Sequence, residues 1–170
     1  MIEHLPDRLD LIATAEAGRL LRGTIAVAEL QRVLPELLSD KGELLVELDL
    51  GKAPDGVRFL SGSIQGDIEL KCQRCMEGMK LPLDLAFSLG LVQSQEAAND
   101  LPDCYEPLVL TGEPAIIADV VSDEVLLALP IVPMHSGSIE CQKFVQAYKP
   151  SISEQRENPF AVLAELKQKQ

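Results

Sequence analysis

Residues 80–92 read Lys80-Leu-Pro-Leu-Asp-Leu-Ala-Phe-Ser-Leu-Gly-Leu-Val92, with Leu81, Leu83, Leu85, Phe87, Leu89 and Leu91 alternating against smaller or polar residues. A period of two places every apolar side chain on one face, so this stretch predicts a half-buried β-strand. Upstream, residues 57–70 carry Leu60, Ile64, Ile68 and Leu70 at even positions, with Gly62 and Gly66 among them where a strand would bend or bulge. The two strands form a long antiparallel hairpin, and its connection, residues 71–79 (KCQRCMEGM), sets Cys72 and Cys75 at the tip. Residues 43–50 (ELLVELDL) alternate in the same way, and Pro54-Asp55-Gly56 supplies a turn into the next strand.

Helical spacing flanks these strands. Leu30, Val33, Leu34, Leu37 and Leu38 follow the i, i+3, i+4, i+7, i+8 pattern and predict a helix over 27–39, kinked or restarted at Pro35. Residues 116–129 predict a second helix with Ile117, Val120, Val121, Val125, Ala128 and Leu129 on one stripe, bounded by Pro114 and Pro130. Residues 136–157 have few periodic apolar positions and read as a loop or mobile segment. Asn158 is suited to an N-cap and Pro159 to the first helical position, so residues 158–170 read as a short helical tail with Phe160, Leu163 and Leu166 on one face. The sum is an α+β domain over residues 1–135: a largely antiparallel sheet with a long hairpin, two packed helices and, after the loop, a C-terminal helix.

The chain of 170 residues has 15 Lys+Arg against 27 Asp+Glu, a net charge of −12. Residues 81–142 hold no Lys or Arg and 10 acids. A domain-wide basic footprint for nucleic acid is excluded. Contact with a polyanion is confined to the first half or the tail, and the middle suits protein partners or water. No stretch has the apolar length of a membrane span, and the N-terminus lacks the basic and apolar regions of a secretory signal, so the expected location is the cytoplasm.

In a reducing compartment the four cysteines are thiols or metal ligands rather than a disulfide framework. Cys72-Gln73-Arg74-Cys75 has three readings. Thiol–disulfide catalysis needs the first thiol at a helix N-terminus, and a Pro-containing strand follows here instead. A metal site fits better, because a CxxC across a tight turn spaces two sulfurs along one tetrahedral edge; His135 and Cys141, in His-x5-Cys spacing, complete a Cys3His set for structural zinc. The third reading makes the two cysteines small turn residues, His135 a loop residue and Cys141 a bystander. Cys104 belongs to no spacing and is expected to be a small buried residue. With His4 and His135 the only histidines and no nucleophile elbow, P-loop or GxGxxG, an enzyme is not expected. Asp123-Glu124 reads as a charged helix face, one acid solvated and the other in a polar contact.

Four motifs stand in register: Cys72-Gln-Arg-Cys75, Tyr105-Glu-Pro107, the run from Asp123 to Pro133 (DEVLLALPIVP) followed by His135 and Cys141, and Asn158 to Lys167 (NPFAVLAELK). Together they resemble the bacterial YceD family, the large ribosomal RNA subunit accumulation proteins. The resemblance implies a non-enzymatic ribosome-biogenesis factor for synthesis, processing or stability of the large-subunit (23S) ribosomal RNA, with no small-molecule substrate and no catalytic residues to carry over. The partner is then that RNA or its precursor particle, met directly or through a ribosomal protein. For direct contact the candidates are Lys71, Arg74 and Lys80 at the hairpin tip, the alternative being ordinary strand-end cations. An adaptor reading instead uses the acidic middle, or the tail face of Asn158, Phe160, Leu163 and Leu166, to hold a basic ribosomal protein or assembly factor.

Overall fold

The computed structural model describes residues 3–137 and 139–147. The chain divides into two compact units, Met1–Ser136 and Gly137–Gln170. In chain order the first unit contains β1 (Glu3–His4), β2 (Arg8–Leu9), α1 (Leu11–Glu16), β3 (Arg19–Ala26), β4 (Leu37–Ser39) and β5 (Glu43–Lys52). These are followed by β6 (Arg58–Lys71), β7 (Gly78–Val92), α2 (Gln95–Ala98), β8 (Glu106–Val109), β9 (Ala115–Ile116) and α3 (Ile117–Ala128). The architecture is α+β and its main sheet is antiparallel in every pairing except the outermost two. Strands run in the order β1-β3-β5-β6-β7-β8, with β4 also paired to β6. The two parallel pairs are β1 with β3 and β7 with β8. A second, two-stranded pairing joins β2 to β9.

The β6–β7 hairpin is the backbone of the fold, in register from Phe59↔Gly90 to Lys71↔Gly78. Alternation decides which face is buried: Leu44, Val46, Leu48 and Leu50 of β5 and Leu60 and Ile64 of β6 are fully buried. Their strand neighbours point the other way. α1 lies over β5 and β6, and Ile117, Val120, Val121 and Val125 of α3, which share one helical stripe, pack beside β7 and join the same buried cluster. Ser122, buried in the same helix, satisfies its hydroxyl by donating to Ala118 O at 2.6 Å.

Gly62 does not mark a bulge. Pairing passes through it without a break on both sides, and the glycine makes room for the ring of its cross-strand partner Phe87. A Cβ at position 62 would stand 2.3 Å from Phe87 Cζ. Gly62→Val must expel that ring, and urea denaturation should show a loss of about 1–3 kcal/mol, the usual cost of overpacking. An unchanged midpoint would mean that the ring has room to move aside.

Three further expectations need correction. Residues 27–39 form no helix: two single 3-10 turns, Val27–Glu29 and Leu34–Glu36, are followed by β4. Pro35 supplies no N–H to carry a helix onward, and Leu37 and Ser39 pair instead with Leu70 and Glu69 of β6. The apolar spacing there is therefore only partly a core stripe, since Leu30 and Val33 are buried whereas Leu38 is exposed. Cys104 is exposed rather than buried, because it sits in a polar turn beside Asp103 that Tyr105 N–H closes on Pro102 O at 3.0 Å. In the second unit, α4 (Ile139–Ala147) occupies part of the segment read as a loop. Between Gly137 and Pro150 the chain has neither Gly nor Pro, and Gln142, Lys143, Gln146 and Ala147 favour helix despite the sparse apolar pattern. The predicted C-terminal helix with Asn158, Phe160, Leu163 and Leu166 lies outside the described residues. Among those described, no helix is long and apolar enough to cross a membrane.

Candidate metal centre

The hairpin tip is Cys72 to Glu77, the link between β6 and β7. Cys72 N–H donates to Glu77 O at 2.9 Å and closes the loop, while Met76 N–H donates to Cys72 O at 2.9 Å inside it. Met76 takes a left-handed backbone conformation, φ 65°. For a residue with a Cβ this costs about 1–2 kcal/mol. The conformation reverses the chain directly after Cys75, so that a short loop can carry both cysteines.

The segment after α3 is stitched to this tip. Gln73 N–H donates to Pro133 O at 2.9 Å, and Arg74 Nη2 donates to His135 O at 2.9 Å. His135 is thereby held over the cysteines. Its Nε2 lies 3.1 Å from Gly78 O. A carbonyl only accepts, so Nε2 carries the proton, and in the neutral ring Nδ1 offers its lone pair toward Cys75 Sγ at 3.4 Å. A ring N–H fixed on a carbonyl, with the other nitrogen directed at a thiol, is the arrangement that orients a metal-binding histidine.

The cysteine side is prepared in the same sense. Burial raises the Cys72 thiol. Hydrogen bonds from the backbone at Cys75, His135 and Arg74 and from the Cys75 side chain outweigh it and bring the pKa down to about 5. A thiolate at neutral pH is the form that binds metal. Ligand atoms of Cys72, Cys75 and His135, all in the first unit, lie within 4.8 Å of one another, and these residues could hold a metal ion. Tetrahedral zinc, with Zn–S about 2.3 Å and Zn–N about 2.0 Å, asks for ligand separations of about 3.5–3.8 Å. The 3.4 Å between Cys75 and His135 is close to that range. Cys141 is buried on α4, and none of the four described cysteines is in a disulfide.

A curated relative from Haemophilus influenzae, named "Large ribosomal RNA subunit accumulation protein YceD", is 36% identical over 170 residues, covering 97% of each chain. The family described as "Large ribosomal RNA subunit accumulation protein YceD" matches residues 60–167. The chain belongs to the YceD family. No solved structure matches it. The YceD match begins within β6 and takes in the hairpin, α3 and all four candidate ligands.

The cations of this YceD chain fall unevenly around the tip. Lys71 and Lys80 are exposed on the face of the hairpin opposite the core. Lys71 stands across from Gly78, and Lys80 across from Glu69, which offsets its charge. Arg74 is partly buried by its bond to His135 O. That tethering role had no signal in the sequence, because it depends on a backbone carbonyl some sixty positions away; the same holds for Gly78 O. Beside the tip lies an open hollow of about 570 Å³ walled chiefly by Pro35, Leu70, Met76, Leu129 and Ile131. Glu36 and Lys71 are its charged lining residues, and no nucleophile–base pair lines it. Of the acidic pair in α3, Asp123 is bound to Arg32 at 2.5 Å. Glu124 is pushed up by partial burial first, then by Glu106 and Asp123.

Proposed function

We propose that this chain is a non-enzymatic factor supporting accumulation of the large-subunit (23S) ribosomal RNA, and that it meets precursor RNA at the tip of the β6–β7 hairpin. The observation that carries this reading is the 36% identity over 97% of both chains with the Haemophilus influenzae protein. That relative's name is that of an accumulation factor and not of an enzyme. Cys72, Cys75, His135 and Cys141 hold a structural zinc ion. Three thiolates and one imidazole fill a tetrahedron and leave no open position for a substrate, so zinc's contribution is shape. It holds the tip against the segment carrying His135, where Gln73 and Arg74 already bond.

Lys71, Arg74 and Lys80 then contact phosphate. The contact is small by necessity, since the chain as a whole carries −12. Three neutralised phosphates on a single strand correspond to a slope of about −2 in log affinity against log salt. Replacing the three residues together by Gln is expected to abolish crosslinking of the protein to RNA while leaving its thermal melt close to that of wild type, the loss of the Arg74 bond apart. Undiminished crosslinking in a folded triple variant would refute the hairpin tip as the RNA contact.

A further inference from the structure

β7 is 15 residues long, but its two neighbours cover different parts of it. β6 pairs with Gly78 through Gly90, whereas β8 pairs only with Leu89 through Val92. Among the described residues, the edge of β7 before Leu89 is therefore unpaired on the β8 side. An unpaired edge is a row of backbone donors and acceptors that an added strand can satisfy. Pro82 blunts its beginning, which leaves residues 83–88.

A cavity of about 400 Å³ lies along this part of β7. It touches four consecutive residues, Asp84 to Phe87. Successive side chains of a strand point to opposite faces, so a hollow that touches all four runs along the edge rather than over one face. Leu127 of α3, 73% exposed, forms an apolar opposite wall, and Glu106, the first residue of β8, also lines it. The charged lining residues are Asp84, Glu106 and Glu124, all acidic. Asp84 accepts from Gln65 Nε2 at 3.0 Å. Nearby Asp123 is neutralised by Arg32, while residues 81–142 contain no Lys or Arg.

We infer that this hollow is a docking site for an extended basic segment of a protein, which adds to the sheet as a strand along β7 in line with β8. Its Lys or Arg side chains meet Asp84, Glu106 and Glu124, and its apolar side chains meet Phe87 and Leu127. Backbone pairing gives affinity, and the alternation of side chains gives selectivity. RNA does not suit the same place, because three carboxylates repel phosphate. The site is separate from the hairpin tip and does not depend on RNA contact there.

The test uses the full chain and a short fluorescein-labelled peptide of alternating lysine and valine, followed by anisotropy. Saturable binding is expected. The pair Glu106→Lys with Glu124→Lys should weaken it by at least about tenfold, as reversed charges across an interface do. Leu127→Arg, at a position already exposed, should weaken it with the fold intact by circular dichroism. N-methylation of alternate peptide residues should abolish binding in one of its two possible frames, because it removes the donors facing β7. Absence of saturable binding, indifference to both variants, or full binding of both N-methylated peptides would each overturn the proposal.

Discussion

Cys75→Ser is expected to strip the metal from the hairpin tip and lower the melting temperature by on the order of 10 °C. The wild-type protein, purified without a metal-binding tag, should carry about one zinc per chain. Anything that binds the native state and not the unfolded one stabilises it by RT ln(1 + [L]/Kd), about 4 kcal/mol when the metal stands at a thousand times its Kd. For a chain of 170 residues that corresponds to roughly 8–16 °C. Unlike a small zinc finger, the domain is expected to keep its fold without metal, because the core of β5, β6, β7 and α3 is buried away from the tip. Chelation of the wild type should therefore reproduce the melting temperature of Cys75→Ser, and the variant should not respond to chelator. Wild-type protein that is metal-free, titrates four thiols and melts at the same temperature with or without added zinc would remove zinc from the account.

How much was legible depends on whether the signal was local. The hairpin was, because Leu81 to Leu91 alternate without interruption and residues 58–71 answer them. So was α3, bounded by prolines. The spacing of Leu30, Val33 and Leu34 suggests a helix over 27–39, but the pairing that draws Leu37 and Ser39 to β6 is non-local and leaves no mark in that spacing. β3 carries no strand signal of its own, since its sequence, RLLRGTIA, does not alternate; β5 dictates it from outside, through pairs such as Gly23↔Val46. The parallel additions β1 and β8 are short and likewise made by their neighbours.

For the candidate site, ligand types were readable from CxxC and His-x5-Cys, since tetrahedral coordination restricts them to few residues. The carbonyls of Pro133, His135 and Gly78 were not readable, as every residue has one. Nor was the burial of Arg74, which makes it a tether as well as a cation. The open edge of β7 was equally hidden: it follows from where β8 stops pairing, not from any residue in the strand.

Sedimentation of a cell extract tests most directly whether this YceD chain acts on large-subunit ribosomal RNA within an RNA-dependent assembly. A chain with a net charge of −12 cannot ride on ribosomal particles by diffuse attraction, because like charges repel. Co-migration would therefore report a specific contact. The prediction is that the protein travels with large-subunit precursor particles at low salt, and returns to the top of the gradient after RNase treatment or when Lys71, Arg74 and Lys80 are replaced. A protein that stays at the top of the gradient in gentle salt, without RNase, would contradict the account.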